Sequence, residues 1–235
     1  MSDFTTRLLR GRKVLLGRDF YQFRQVKRKR ITLGNKYADW TLCPDGIGPD
    51  SVVYSFGVGE DVSFDLLIME RFGMKVHAFD PSPRSIEWVG RQDLPEDFIF
   101  HPYGLAAQDG EITFNEPDEP GVHSLFMDGE KIPEGAGYKT HVLPVRRLPG
   151  VVSELGHDRI DVLKMDIEGA EYDVIGDIIT SPFPVSQVLI EFHHRFPYLG
   201  VGMTRDAISR MNDAGYHIFH VSPTGEEMSF IKYRG

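Results

Sequence analysis

Residues 51–61 read Ser-Val-Val-Tyr-Ser-Phe-Gly-Val-Gly-Glu-Asp. The first six form a short β-rich run that ends on the turn Gly57-Val58-Gly59. Helical spacing follows, with Phe64, Leu67, Ile68 and Phe72 on one face. A strand, a glycine turn and a helix in this order are the opening unit of a doubly wound α/β sheet. Glycines let the chain turn sharply and let a ligand approach the backbone. The third glycine of the dinucleotide fingerprint is absent.

The alternation continues downstream. Residues 75–79 (KVHAF) read as a second strand, closed by Asp80-Pro81. Ser82 and Pro83 then open a helix. Residues 97–101 read as a third strand, 161–165 as a fourth with a helix through Ile179, and 185–192 as a fifth. Residues 112–114 and 140–145 read as extra strands. Residues 204–214 read as a helix, capped by Thr204 and stopped by Gly215. Residues 216–221 and 227–232 flank the turn Ser222-Pro223-Thr224-Gly225 and read as an antiparallel pair. The predicted fold is a doubly wound α/β sheet, mostly parallel, with a C-terminal antiparallel hairpin. A nicotinamide-type domain does not need that hairpin; the sheet resembles that of S-adenosylmethionine methyltransferases.

Upstream of the first strand the composition changes. Residues 1–36 hold eleven Lys or Arg and two Asp, a net of +9 on a chain whose total is −9. The remainder therefore carries −18. Residues 1–36 read as helical, and 37–50 as a turn-rich connector. The expected organisation is a basic, mainly helical extension and connector over 1–50, followed by a methyltransferase domain over 51–235. The basic stretch, with Lys27-Arg28-Lys29-Arg30 at its end, either contacts phosphates or forms a solvated face packed on the acidic domain. The single cysteine, Cys43, excludes a disulfide framework and a cysteine-cluster zinc site. No secretory signal and no apolar run long enough to span a membrane is read. A cytoplasmic location is the expectation; oligomeric state is not read.

Four strand ends carry the candidate chemistry. The first supplies Ser55, Phe56, Gly57, Gly59 and Asp61; Asp61 either caps the next helix or takes part in binding. The second supplies Asp80, 21 positions after Gly59, where an acid can accept bonds from ribose hydroxyls. The third supplies Gly104 and Leu105, whose backbone is placed to contact an adenine. The fourth is Asp161-Val-Leu-Lys-Met-Asp166-Ile-Glu168-Gly169-Ala170-Glu171. It delivers three carboxylates to one turn, which repel unless cations, donors or protons intervene.

That fourth segment resembles the signature of the FkbM-type methyltransferases. Val53-Tyr54-Ser55-Phe56-Gly57-Val58-Gly59-Glu60-Asp61 and His77-Ala78-Phe79-Asp80-Pro81 resemble a branch of the same group. The resemblance implies a class I methyltransferase fold, S-adenosylmethionine as donor, and a hydroxyl acceptor on a sugar, polyketide or similar small molecule. Ser55 departs from the acidic residue usual at that position.

An alcohol acceptor needs a base. The candidate catalytic residues are Asp166, nearest the expected methyl position, and His193, directly after the fifth strand. Asp166 is also a candidate for holding the cofactor's ammonium. Asp166, Glu168, Glu191 and His193 suit Mg²⁺ or Mn²⁺ by type, but the spacing does not demand a metal, and none is expected. Residues 115–140, with His123, Ser124 and Tyr138, read as a loop over the crevice. The basic N-terminal region would favour an anionic acceptor if it completed the pocket. Two rival functions remain: an NAD(P)-dependent oxidoreductase, which leaves the 166–171 turn and the closing hairpin unexplained, and a nucleic-acid methyltransferase, for which an Asn/Asp-Pro-Pro-aromatic turn would be expected in place of Asp166-Ile-Glu-Gly.

Overall fold

The computed structural model describes residues 3–36, 38–117, 126–127, 137–196 and 199–233, with backbone alone for 3–8, 116–117 and 126–127. His123 and Ser124 lie outside the described residues.

In chain order the elements are α1 (Asp3–Leu15), β1 (Ile31–Leu33), β2 (Trp40–Leu42), β3 (Val53–Phe56), α2 (Ser63–Phe72), β4 (Val76–Phe79), α3 (Pro83–Val89) and β5 (Phe98–His101). Then come β6 (Gly104–Leu105), β7 (Gly110–Pro117), β8 (Phe126–Met127), β9 (Tyr138–Arg146), α4 (Leu148–Glu154), β10 (Ile160–Met165) and α5 (Glu171–Ile179). The last are β11 (Val185–Glu191), α6 (Gly200–Asp213), β12 (Tyr216–Val221) and β13 (Glu227–Lys232).

The central sheet has seven strands in the order β12-β13-β11-β10-β3-β4-β5. Strands β11, β10, β3, β4 and β5 are mutually parallel; β13 is antiparallel to both its neighbours. The chain winds outward from β3 through β4 and β5, then returns to β10 on the other side. That reversal between β3 and β10 is where a doubly wound sheet opens a crevice at its carboxyl end. This is the class I methyltransferase-like sheet with its closing hairpin.

Period-2 alternation sorts the strands into two apolar faces. Tyr54, Phe56, Leu163, Met165, Val188 and Ile190 pack with α4, α5 and α6. Val53, Val162 and Leu189 pack with α2, Trp40, Leu42 and Cys43. Ser55, Lys164 and Glu191 share the second face by the same parity and register. The polar residues of three neighbouring strands therefore converge above α2.

Ser82 caps α3 with Pro83 in its first turn, as expected. Three expectations change. The helix of the basic stretch spans only Asp3–Leu15, ending before Gly17 at φ 70°. Like charges crowd residues 27–30, which disfavours a helix there, and residues 31–33 and 40–42 pair as an antiparallel ribbon inside the expected connector. Thr204 does not cap α6, which begins at Gly200. Thr204 is buried, and its hydroxyl pairs with the Tyr172 hydroxyl at 2.9 Å. Finally, the ends of the 115–140 segment are not loop. They extend β7 and β9, which join β6 and β8 in a second, four-stranded sheet.

Candidate active site

Gly57 and Gly59 both have positive φ, 83° and 57°. They need glycine for different reasons. A Cβ on Gly57 would lie 1.9 Å from the Asp166 carbonyl oxygen, so β10 itself demands the glycine. A Cβ on Gly59 would meet nothing within 4 Å, because it faces the crevice.

Asp80, at the end of β4, holds this turn in place. One carboxylate oxygen accepts from Val58 N at 3.0 Å and Gly59 N at 2.9 Å. The other accepts from Ser82 N at 2.9 Å and Ser82 Oγ at 2.6 Å. Asp61 accepts from Ser63 N at 2.7 Å at the start of α2 and from Asn35 Nδ2 at 3.1 Å. Ser55 is fully buried, and beside it Asp65 reaches in from the first turn of α2. Burial pushes the Asp65 carboxyl up, against the pull of Lys164 and the Ser55 hydroxyl. Asp65 thus places a carboxyl from the neighbouring helix beside position 55.

Two cavities meet here. A slot of about 70 Å³ is walled by Phe79, Pro81, Leu105, Phe114 and Val145 and is floored by Gly57, Asp80 and Asp166. Phe56, Phe79 and His101 stack beneath it across three strands, with centroids 4.2 and 4.5 Å apart. Gly104 packs closely, since a Cβ there would lie 3.0 Å from the Pro81 ring. The slot shares Gly57, Asp80, Asp166 and Glu168 with a larger crevice of about 390 Å³, which also takes in Gly59, Asp61, Lys164, Glu191 and Glu227.

The crevice is acidic. Glu191 and Glu227 stand directly opposite each other on β11 and β13, and like charges so placed repel. Burial pushes the Glu191 carboxyl up to about 9, with Asp166 and Glu227 adding to the rise. Burial also pushes Asp166 up, although its side chain is one-third open to the crevice. Lys164 is the opposing cation. It is buried, donates to the Phe56 and Gly57 carbonyls, and lies 5.1 Å from the centre of the Trp40 ring.

Of the three carboxylates in the 166–171 turn, Glu171 is a clamp. It is wholly buried and accepts from Gly169 N at 2.8 Å, His193 N at 2.9 Å and His193 Nδ1 at 3.1 Å. His193 Nε2 then faces Glu168 at 3.3 Å and Asp166 at 3.6 Å. Burial opposes a charge on His193, but the bond and charge of Glu171, followed by Glu168 and Asp166, prevail and raise it to about 10. The imidazolium is the cation that three adjacent carboxylates require. The turn is also strained: Glu168 takes φ 52°, unlike any other non-glycine among the described residues.

Asp166, Glu191 and His193 offer three ligand atoms within 4.8 Å of one another. An imidazolium does not ligate, so a cation would first have to displace the His193 proton. The run Lys27-Arg28-Lys29-Arg30 contributes nothing to the crevice lining. It follows residues 25–26, which bond to Ile218 on the outer strand β12, and Arg30 reaches His220. Trp40, Lys164, Asp65 and Glu227 also line the crevice, and the motif reading passed over them. Lys164 had a signal: a lysine inside an apolar strand is rarely buried without a partner.

Residues 51–218 match the family model described as the methyltransferase FkbM domain. The chain belongs to that family. As a member of the FkbM methyltransferase family it is similar to "Probable methyltransferase-like protein 24" of Rattus norvegicus, 27% identical over 160 residues, and of Homo sapiens, 28% identical over 161. Each match covers 67% of this chain and 37% of the relative. It is also similar to "AMB antimetabolite synthetase AmbE" of Pseudomonas aeruginosa (strain ATCC 15692 / PAO1), 26% identical over 196 residues, covering 68% of this chain and 9% of that protein. The chain therefore spans little more than a third of the first two relatives' length. Among solved structures, a geranyl diphosphate methyltransferase in complex with GPP and sinefungin aligns with a TM-score of 0.38 and 10% identity. That alignment covers 80% of this chain and 74% of the other, and is too loose to bear on ligand or mechanism.

Proposed function

We propose that this FkbM-family chain is an S-adenosylmethionine-dependent methyltransferase acting on a hydroxyl of a sugar or another small molecule. The observation that carries the reading is the junction of the apolar slot with the acidic crevice at Gly57, Asp80 and Asp166. One edge of an adenine suits the mouth of the slot between Pro81, Leu105 and Phe114, with the rest of the base toward the larger crevice. The ribose falls beside Asp80. The ammonium of the amino-acid end suits Asp166, Glu191 and Glu227, whose ionised forms a nearby cation favours. The cofactor supplies an electrophilic methyl group on a sulfonium. No metal is part of the proposal.

The chain's own residues do the rest. Gly59 leaves room beside the turn, and Asp166 orients the acceptor oxygen. His193 lines neither cavity and is reached past Asp166, 3.6 Å from its Nε2; it takes the acceptor proton there once its own proton has passed to solvent. It sheds that proton more readily as positive charge enters the crevice, because a nearby cation lowers an imidazolium pKa.

Calorimetry with S-adenosylhomocysteine and, separately, NADH tests the cofactor class. Binding of S-adenosylhomocysteine is expected; binding of NADH alone would overturn the reading in favour of an oxidoreductase.

Asp80→Ala is expected to weaken S-adenosylhomocysteine by about 1–3 kcal/mol through lost charge-assisted bonds. Because Asp80 also holds Val58 N and Gly59 N, the urea midpoint should fall in the same variant. Unchanged affinity would remove Asp80 from the cofactor site.

A further inference from the structure

The N-terminal segment presents apolar and cationic side chains together on the outside of the protein. Leu15 is 89% exposed, Phe23 75%, Leu16 61% and Tyr21 54%. The first three of these exceed every other large hydrophobic residue described. Basic residues are interleaved with them: Arg12, Lys13, Arg18 and Arg24 are all exposed.

The inner side of the segment is already neutralised. Buried Arg10 lies 3.6 Å from buried Asp19 and donates to the Phe20 carbonyl at 2.8 Å. Asp19 also pairs with Arg195, which in turn pairs with Glu226 in the hairpin loop. This knot fixes α1 to the body of the protein without using the outer charges. Arg12 and Arg18 form no ion pair among the described residues. Leu9, Arg12, Lys13, Leu16 and Arg18 instead line a recess of about 590 Å³ beside Arg195.

We propose that this face docks on an anionic lipid bilayer. Charge complementarity supplies the first argument: residues 1–36 carry +9 on a chain whose remainder carries −18. A nucleic acid would use the cations but leave Leu15, Leu16 and Phe23 without a partner. A bilayer surface uses both, because the cations meet acidic headgroups while leucine and aromatic side chains enter the acyl boundary. Among the described residues no helix is long and apolar enough to cross a membrane, so the contact is with a surface. The proposal stands independently of the methyl-transfer reading.

Co-sedimentation of the full chain with vesicles tests it. Partition onto vesicles of about one-third phosphatidylserine in phosphatidylcholine should exceed partition onto phosphatidylcholine alone by about ten-fold, and should weaken in about 0.5 M salt. Combining Leu15→Ser, Leu16→Ser and Phe23→Ser, or separately Arg12→Glu and Arg18→Glu, should each lower the partition by about ten-fold. All five side chains are exposed, so the thermal midpoint and the behaviour of the crevice should stay as in the parent chain. Three outcomes would overturn the proposal. They are equal binding to both vesicle types, duplex DNA or RNA binding without vesicle binding, and a self-association abolished by the apolar changes in a chain that ignores vesicles.

Discussion

Gly57→Ala should destabilise the protein by about 3 kcal/mol, whereas Gly59→Ala should cost only about 1 kcal/mol. The two glycines stand two positions apart in one turn, and both have positive φ. The difference lies in what surrounds them. At Gly57 the new methyl would sit 1.9 Å from the backbone oxygen of Asp166, and a backbone atom cannot swing aside like a side chain. Either β3 and β10 separate at their carboxyl ends or the turn is rebuilt. Both routes also disturb Asp166 and the floor of the slot. At Gly59 the methyl enters open space, so the fold bears only the left-handed strain of a non-glycine residue. The space it enters is the crevice, so its main effect should be on ligand affinity, by about ten-fold. Urea midpoints paired with S-adenosylhomocysteine titrations separate the two. A Gly57→Ala protein with the parent's midpoint would show that the β3–β10 contact is not what requires the glycine.

That contrast marks how far the sequence could be read. The strand–helix alternation and the closing hairpin were legible because each follows from local periodicity, and the structure has them close to the expected bounds. The ribbon of β1 and β2 was not, since each strand has three residues and the flanking sequence is dominated by charge. Residues 57, 80 and 166 could be placed in one crevice because strand ends of a doubly wound sheet converge, whereas Ser55 lies buried and lines neither cavity. Lys164 and Glu227 could not, since their position depends on register: Lys164 lies beside Ser55 and Leu189, and Glu227 opposite Glu191. The 166–171 turn was legible as an electrostatic problem. Its solution required knowing that β11 delivers His193 to Glu171, and no spacing in the chain states that. Thr204 was misread for a related reason. A threonine before a helical run signals a cap, but the helix had already begun at Gly200 and Thr204 turned inward to Tyr172.

His193→Asn should slow methyl transfer by about 100-fold or more while leaving S-adenosylhomocysteine affinity near that of the parent. Glu171→Gln should act on the same step from behind. Glu171 is what keeps buried His193 charged, so removing that charge strands the imidazole at a cost of about 3 kcal/mol near neutral pH. The pH dependence of stability should shift at this site. In the parent, His193 is raised from 6.5 to about 10. Its contribution is complete below pH 6.5 and is lost as the pH rises toward 10. In Glu171→Gln the largest upward pull on His193 is gone and only Glu168 and Asp166 oppose burial, so that loss should set in at lower pH. Activity should follow the same proton. A base held charged in the free enzyme releases its proton late, so kcat/KM of the parent should rise with pH through the alkaline range. With Glu171→Gln that rise should move to lower pH, even though the maximal rate falls with the loosened geometry. A rise at the parent's pH would show that another group accepts the proton, and a fully active His193→Asn would show it more directly. Asp166 would then be left as the acceptor's base, one-third open to the crevice and already pushed up by burial toward the range where a carboxylate can do that work.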